Sequence, residues 1–152
     1  MYSDEIKVVN TVIALEVAGV IATEHRGQLN FSMAPERVVD VCRLLKDEQA
    51  YTRLSFITAV DWFPVEPRFE VVYSIHSLKN NDWLRLKCRV GGESPEIESV
   101  TSVWQAANWY EREIFDLFGI RFRNHPDLRR IMMPTDWQGH PLRKDYPTSG
   151  VR

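Results

Sequence analysis

The chain has 152 residues, 44% of them hydrophobic and 26% charged, with a formal net charge of -2 and a pI near 6.1. That size and balance suit one folded domain with a sizeable core, and the charge excludes retention on nucleic acid or anionic lipid by overall attraction. Two cysteines, Cys42 and Cys88, belong to no C-x-x-C pair, which excludes a disulfide scaffold, a zinc ribbon or an iron–sulfur site within the chain and marks both thiols as core fillers in a reducing compartment.

The N-terminus lacks the basic start and apolar run of a signal peptide, and no stretch approaches about 18 apolar residues. The chain therefore reads as cytoplasmic unless a partner holds it at a membrane. Ser3, followed by Asp4 and Glu5, predicts the N-cap and acidic first turn of a helix that buries Ile6, Val9, Val12, Ile13 and Val17 and ends at Gly19. Segments 20–24 and 28–33 flank His25-Arg26-Gly27 and read as a hairpin, with Gly27 supplying the positive φ. Pro35 opens a second helix whose apolar positions Val38, Val41, Cys42 and Leu45 share one face.

Three strands follow at 54–60, 69–77 and 83–90, rich in β-branched and aromatic residues, with Asn80-Asn81-Asp82 turning between the last two. After Ser94-Pro95-Glu96 a third helix is expected over 99–118, capped by Gly119. This order predicts an α+β fold: two layers, helices on one face of a mostly antiparallel or mixed sheet. An extended Arg- and Pro-rich C-terminal segment follows. Residues 1–120 would form the domain and 121–152 a partner-docking segment belonging to it. Trp62, Trp83, Trp104 and Trp109 are expected as core or half-buried packing. Met132-Met133 reads either as an adaptable contact surface or as core filling.

Charge is uneven. Segment 121–152 holds seven Lys or Arg against three Asp, a net +4, which leaves -6 for the remainder. On the third helix Trp104, Ala107, Glu111, Ile114 and Phe118 recur at three- and four-residue spacing, so Glu111 sits in an apolar stripe. A buried lone carboxylate is costly. Its expected partner is a planar guanidinium from the basic loop, Arg129, Arg130 or Arg143, while Arg112 is placed to pair with Asp116 at i, i+4.

The competing reading is catalytic: His125, Asp127, Asp136 and His140 fall within sixteen residues, and such mixtures bind metals or move protons. A small metal-dependent or acid/base hydrolase using His125, Asp127 and His140 is the alternative function. No H-E-x-x-H motif is present, and Pro126, Pro134 and Pro141 interrupt the spacing, so both histidines read better as turn residues whose rings cap backbone groups. No catalytic, cofactor-binding or metal-ligating residue is assigned. Nucleotide loops and nucleophile elbows are absent from the sequence, and acids interleaved among the loop arginines argue against nucleic acid stacking on Trp137 and Tyr146.

The stretch Glu111-Arg112-Glu113, Asp116-Leu117-Phe118-Gly119-Ile120, His125-Pro126-Asp127-Leu128-Arg129-Arg130-Ile131 and Gly139-His140-Pro141-Leu142-Arg143-Lys144-Asp145-Tyr146-Pro147 resembles the C subunit of respiratory complex I, the small "30 kDa" hydrophilic component of NADH:quinone oxidoreductase. Upstream the likeness continues in Asp61, Val72-Tyr73, Ser77-Leu78, Val103-Trp104 and Ala107. The resemblance implies a non-catalytic component of the peripheral arm that binds no cofactor itself and braces the large, D-type quinone-site subunit beside other peripheral-arm subunits. Flavin, iron–sulfur clusters and quinone would sit on those neighbours. It implies a peripheral position on the cytoplasmic face of the inner or energy-converting membrane, reached only through partners.

Similar subunits occur in membrane-bound hydrogenases and in ferredoxin- or deazaflavin-linked complexes. The chain is similar to the short form of the family, since it ends five residues after Pro147. Structural ion pairs and a partner interface are expected at Glu111, Arg112, Glu113, Asp116, His125, Arg129, Arg130, His140, Arg143, Lys144 and Asp145.

Overall fold

A computed structural model describes residues 20–26 and 28–149; the expected first helix and Gly27 lie outside them. Strands β1 (Ile21–His25) and β2 (Gln28–Met33) form the predicted hairpin, with Arg26 at a φ of 52 in its turn. A single 3₁₀ turn, Pro35–Arg37, leads into α1 (Val38–Asp47), which buries Val38, Val41, Cys42 and Leu45. Proline at the start costs no hydrogen bond, because a first-turn N–H has no partner within the helix.

Strands β3 (Arg53–Asp61), β4 (Phe69–Ser77) and β5 (Asp82–Val90) follow, and the five strands run in the order β1-β2-β5-β4-β3. The sheet is mixed: β2 pairs parallel to β5 while the other pairs are antiparallel. The parallel pair is possible because α1 and β3–β4 intervene between its members and return the chain in the same direction.

Register puts Leu54, Ile57 and Ala59 beside Ile75, Tyr73 and Val71, then Leu84, Leu86 and Cys88, then Phe31 and Met33. These residues share one sheet face and join the apolar stripes of both helices in a single core. A register shift at Ser55 lets β3 keep Leu54 and Ile57 on that face. The Ser55 carbonyl then accepts the Tyr110 hydroxyl at 2.8 Å, tying the last helix to the irregularity.

The last helix differs from expectation at its start. It spans Ala107–Phe118 (α2), and residues 99–106 are turns instead of helix. Ser99 and Thr101 exchange a hydroxyl contact of 2.8 Å and the Thr101 N–H donates to Ser99 Oγ, the kind of side-chain competition that holds such residues out of helices. Two three-residue strands without periodicity of their own, β6 (Glu96–Glu98) and β7 (Arg121–Arg123), pair in parallel beyond the helix. Gly119 ends α2 at a φ of 75, its N–H bonding to the Phe115 carbonyl. Of the four tryptophans expected to pack, Trp104 is buried whereas Trp62, Trp83 and Trp109 are exposed. Trp109 is carried off the apolar stripe by its helix position, two residues after Ala107.

Candidate docking site

Residues after β7 fold back along α2, and two buried carboxylates fix them there. Asp116, fully buried, accepts the consecutive backbone N–H groups of Ile131, Met132 and Met133 at 3.1, 2.7 and 2.9 Å, and Arg130 Nη1 at 2.9 Å. Burial would raise the pKa of this carboxyl, but the Met133, Met132 and Ile131 amides and the Arg130 charge outweigh it and hold it below the usual carboxylate range. Arg130 also reaches the Gly139 carbonyl at 3.0 Å, so one guanidinium ties both ends of the 130–139 loop to the helix.

The second carboxylate is Asp61, at the end of β3. It accepts Arg68 Nε and Nη2 at 2.9 and 2.8 Å, the Phe63 N–H at 2.9 Å and the Lys144 N–H at 2.8 Å. Its hydrogen bonds, those from Arg68 first, push its pKa far down. Arg68 in turn donates to Asp145 at 3.1 and 2.6 Å. Arg68 and Arg143 both lie over the Phe69 ring, at 4.9 and 5.2 Å from its centroid.

The exposed carbonyls at the end of α2 are satisfied by the same return. His140 Nδ1 donates to the Asp116 carbonyl at 2.9 Å, the Leu142 N–H to Leu117 at 3.0 Å, and Arg143 Nε to Phe118 at 2.6 Å. A helix leaves its last four carbonyls without internal partners, and here a distant segment supplies three donors. Burial, and then the Arg143 and Arg130 charges, lower the pKa of His140. Close approach is possible because Gly119 has no side chain: a Cβ there would stand 2.5 Å from His140 Cδ2.

Glu111 is held otherwise than expected. No guanidinium reaches it; Ser99 Oγ donates to Oε2 at 2.6 Å and the Val100 N–H to Oε1 at 2.8 Å. Burial, only partly opposed by those two bonds, pushes its pKa up to about 7. His125 Nε2 lies 3.9 Å from Glu111 Oε2, beyond hydrogen-bond reach. The Asp127 N–H donates to His125 Nδ1 at 3.0 Å, so the ring hydrogen sits on Nε2 and points to the Asn108 carbonyl at 3.1 Å.

Arg112 does not pair with Asp116 either. Its Nε donates to the Arg129 carbonyl at 3.2 Å and its guanidinium lies 5.0 Å from the Trp109 ring centroid. Asp116 is already filled by donors from the return segment, which leaves the i, i+4 partner nothing to bind. Arg129 pairs with Asp127 in the open, at 2.9 Å, and Lys144 contributes its backbone while its side chain is exposed. Glu113 is half-buried and has no hydrogen-bond or ion-pair partner among the described residues.

Reasoning from sequence missed Asp61 as a ligand of the return segment, Arg68 and Ser99. An acid closing a strand and an arginine opening the next were the available signals for the first two. For Ser99 there was none, because a serine near a predicted helix start reads as a cap.

The two histidines of the catalytic alternative do not converge. His125 caps Asn108 and His140 caps Asp116, which on one helix are about 12 Å apart at 1.5 Å per residue. Among the described residues no three His, Cys, Asp or Glu are grouped to hold a metal ion. What the site presents outward is largely apolar, Trp109 being 63% exposed, Met132 58% and Leu142 53%, together with the exposed Arg129–Asp127 pair. Met132 is thus a surface residue, its backbone pinned and its side chain free.

The sequence profile of the family described as "Respiratory-chain NADH dehydrogenase, 30 Kd subunit" matches residues 31–152. The chain is 52% identical over 128 residues to the C subunit of the NADH-quinone oxidoreductase of Geobacter sulfurreducens, covering 84% of this chain and 79% of that one. Its counterpart in Roseiflexus castenholzii is 49% identical, covering 83% and 74%. Among solved structures, the trypsin-resistant fragment (1-134) of Nqo5 superposes with a TM-score of 0.73 at 29% identity over 80% of this chain and 99% of that one. A chain of the membrane-bound sulfane sulfur reductase, an archaeal respiratory membrane complex, superposes with a TM-score of 0.81 at 26% identity, over 97% of this chain and 87% of that one.

Proposed function

Because the chain belongs to the 30 kDa subunit family of the respiratory-chain NADH dehydrogenase, we propose that it serves in the peripheral arm of an NADH-quinone oxidoreductase as a positioning subunit without a reaction centre or cofactor of its own. Its partner is the large quinone-site subunit, and it reaches the cytoplasmic face of the membrane only through such neighbours. None of its described helices is long and apolar enough to cross a membrane.

The observation that carries this reading is the Asp116 nest. Three consecutive amides and a guanidinium converge on one buried carboxylate, and that fixes the backbone under Met132 while leaving its side chain outward. A surface held this firmly gives up little conformational entropy on docking, and quinone chemistry on a neighbour depends on spacing held to fractions of an ångström. Exposed Trp109, Met132 and Leu142 supply the anchors that protein interfaces favour.

The test is native mass spectrometry of the membrane complex carrying Trp109→Ala with Met132→Ala, two substitutions of exposed side chains, after circular dichroism has verified the fold of the variant. Loss of this subunit from an otherwise folded complex is expected. Full assembly with lowered turnover would overturn the assignment.

A further inference from the structure

A cleft of about 650 Å³ opens between the last turn of α1, the start of β3, Leu78 after β4 and the turns that precede α2. Its wall carries Lys46, Arg53, Thr52, Thr101 and Ser102 and no carboxylate. In a chain with more acids than bases, a concave surface with cations alone is a local excess of positive potential, and low-dielectric walls concentrate it.

Lys46, Arg53, Thr52 and Ser102 have donor capacity to spare, whereas Thr101 spends its hydroxyl hydrogen on Ser99 Oγ, whose own goes to Glu111. Lys46 Nζ donates one hydrogen to the Val103 carbonyl at 2.5 Å, which fixes the ammonium at the cleft and leaves two hydrogens. Arg53 is exposed and has no hydrogen bond or ion pair among the described residues. The first-turn amides of α2 are taken by the turns before it, the Ala107 N–H bonding the Trp104 carbonyl at 3.0 Å and the Asn108 N–H the Gln105 carbonyl at 3.1 Å, so the helix start adds only its dipole, with no acid in the first turn to offset it. Trp104, on the same wall, is 5% exposed, and its indole N–H has no partner among the described residues. A buried N–H without an acceptor costs free energy.

We propose that this cleft binds a phosphate group. The donors at hand, an ammonium with two hydrogens left, a guanidinium fork and two hydroxyls, outnumber the four or so hydrogen bonds that a carboxylate can accept, whereas a tetrahedral phosphate offers three or four oxygens to them. The site is independent of the docking surface, which it does not touch, and stands or falls separately from the assignment of that surface. A soluble phosphate compound and a phospholipid headgroup present the same chemistry.

The experiment follows the indole N–H cross-peak of Trp104, assigned through Trp104→Phe, in the full chain. Inorganic phosphate is titrated against chloride at matched ionic strength and against acetate, in the wild type and in Arg53→Ala, which removes an exposed side chain without hydrogen bond or ion pair among the described residues. Saturable shifts with phosphate, weakened about tenfold in Arg53→Ala, are expected, as loss of a charged hydrogen bond implies. A second arm sediments the chain with phosphatidylglycerol vesicles and with phosphatidylcholine vesicles. Pelleting with the first alone, abolished by Arg53→Ala, identifies a lipid headgroup as the source, and phosphate binding without pelleting identifies a soluble one. Phosphate shifts no larger than those of chloride, shifts equal to those of acetate, or an Arg53→Ala response like the wild type would each overturn the proposal.

Discussion

Asp61 and Arg68 close the β3–β4 turn as a two-pronged pair, and the same guanidinium reaches Asp145, 77 residues further along the chain. The Asp61 side chain is 2% exposed and that of Arg68 13%, so neither charge can return to water without moving the turn. The sheet and the return segment therefore share one electrostatic joint, completed by the Lys144 amide on Asp61.

Replacing Arg68 tests the joint. Arg68→Ala strands Asp61 as a buried charge and should cost about 3–5 kcal/mol. Arg68→Lys keeps the charge but loses the fork, so most of the loss should remain. Urea denaturation gives the cost. Trypsin gives the location, with new cleavage at Arg143 or Lys144 expected at native temperature, and resistance equal to the wild type would refute the joint.

Asp116→Asn keeps size and shape while halving the acceptor capacity that three amides and Arg130 use. A loss of about 2–4 kcal/mol is expected, as for groups left unpaired in a buried network. Amide hydrogen exchange of Ile131, Met132 and Met133 should accelerate with it. Slow exchange at those three positions in the variant would mean that the loop is held by something else.

The raised pKa of Glu111 has a definite sign. A carboxyl held at about 7 in the folded chain, against an ordinary value of 4.5, favours folding in its protonated form, so its contribution is complete below pH 4.5 and lost as pH rises through 7. The limit is about 3 kcal/mol. Glu111→Gln should accept the Val100 N–H on its one oxygen and donate its amide N–H to Ser99 Oγ, the reverse of the present bond, without ionising. The stability difference between variant and wild type should therefore grow from pH 5 to pH 8, and a difference independent of pH would sink the assignment. The comparison must be made as a difference, because the lowered pKa of His140 slopes the wild-type curve the other way.

Gly119→Ala and Gly92→Ala separate two costs. Both glycines have positive φ, 75 and 86, but a Cβ at Gly92 meets nothing within 4 Å, whereas one at Gly119 meets His140 and Arg143. Gly92→Ala should cost about 1 kcal/mol for backbone alone. Gly119→Ala should cost about 1–3 kcal/mol more for the crowding, read as a larger drop in melting temperature. Equal drops would show that the return segment yields freely.

Strand positions 54–60, 69–77 and 83–90 and the stripe of α1 were legible because β-branched and aromatic residues, in the strands, and helical spacing, in α1, persist over many residues there. The α+β class and the family followed from such elements and from the long run of spaced motifs after Glu111. Three features were not legible, each for a physical reason. Parallel pairing of β2 with β5 depends on contacts 55 positions apart, such as Leu29 with Leu84, which no local pattern records. The helix boundary at Ala107 was set by hydroxyl groups that bind each other and Glu111.

Partner choice among carboxylates was the third. Spacing marked Glu111 as buried but could not tell that Ser99 and an amide would reach it first, or that Asp116 would take the guanidinium. Burial is a one-dimensional property of a stripe; pairing is not.

The end of α2 is finished by Leu142 and its neighbours at 140 and 143, more than twenty positions downstream. During synthesis, a nascent chain that has emerged only as far as Gly119 presents the helix with its terminal carbonyls facing water. The lock can close only after residue 143 has left the ribosome, so the helix end stays open until synthesis has passed that point.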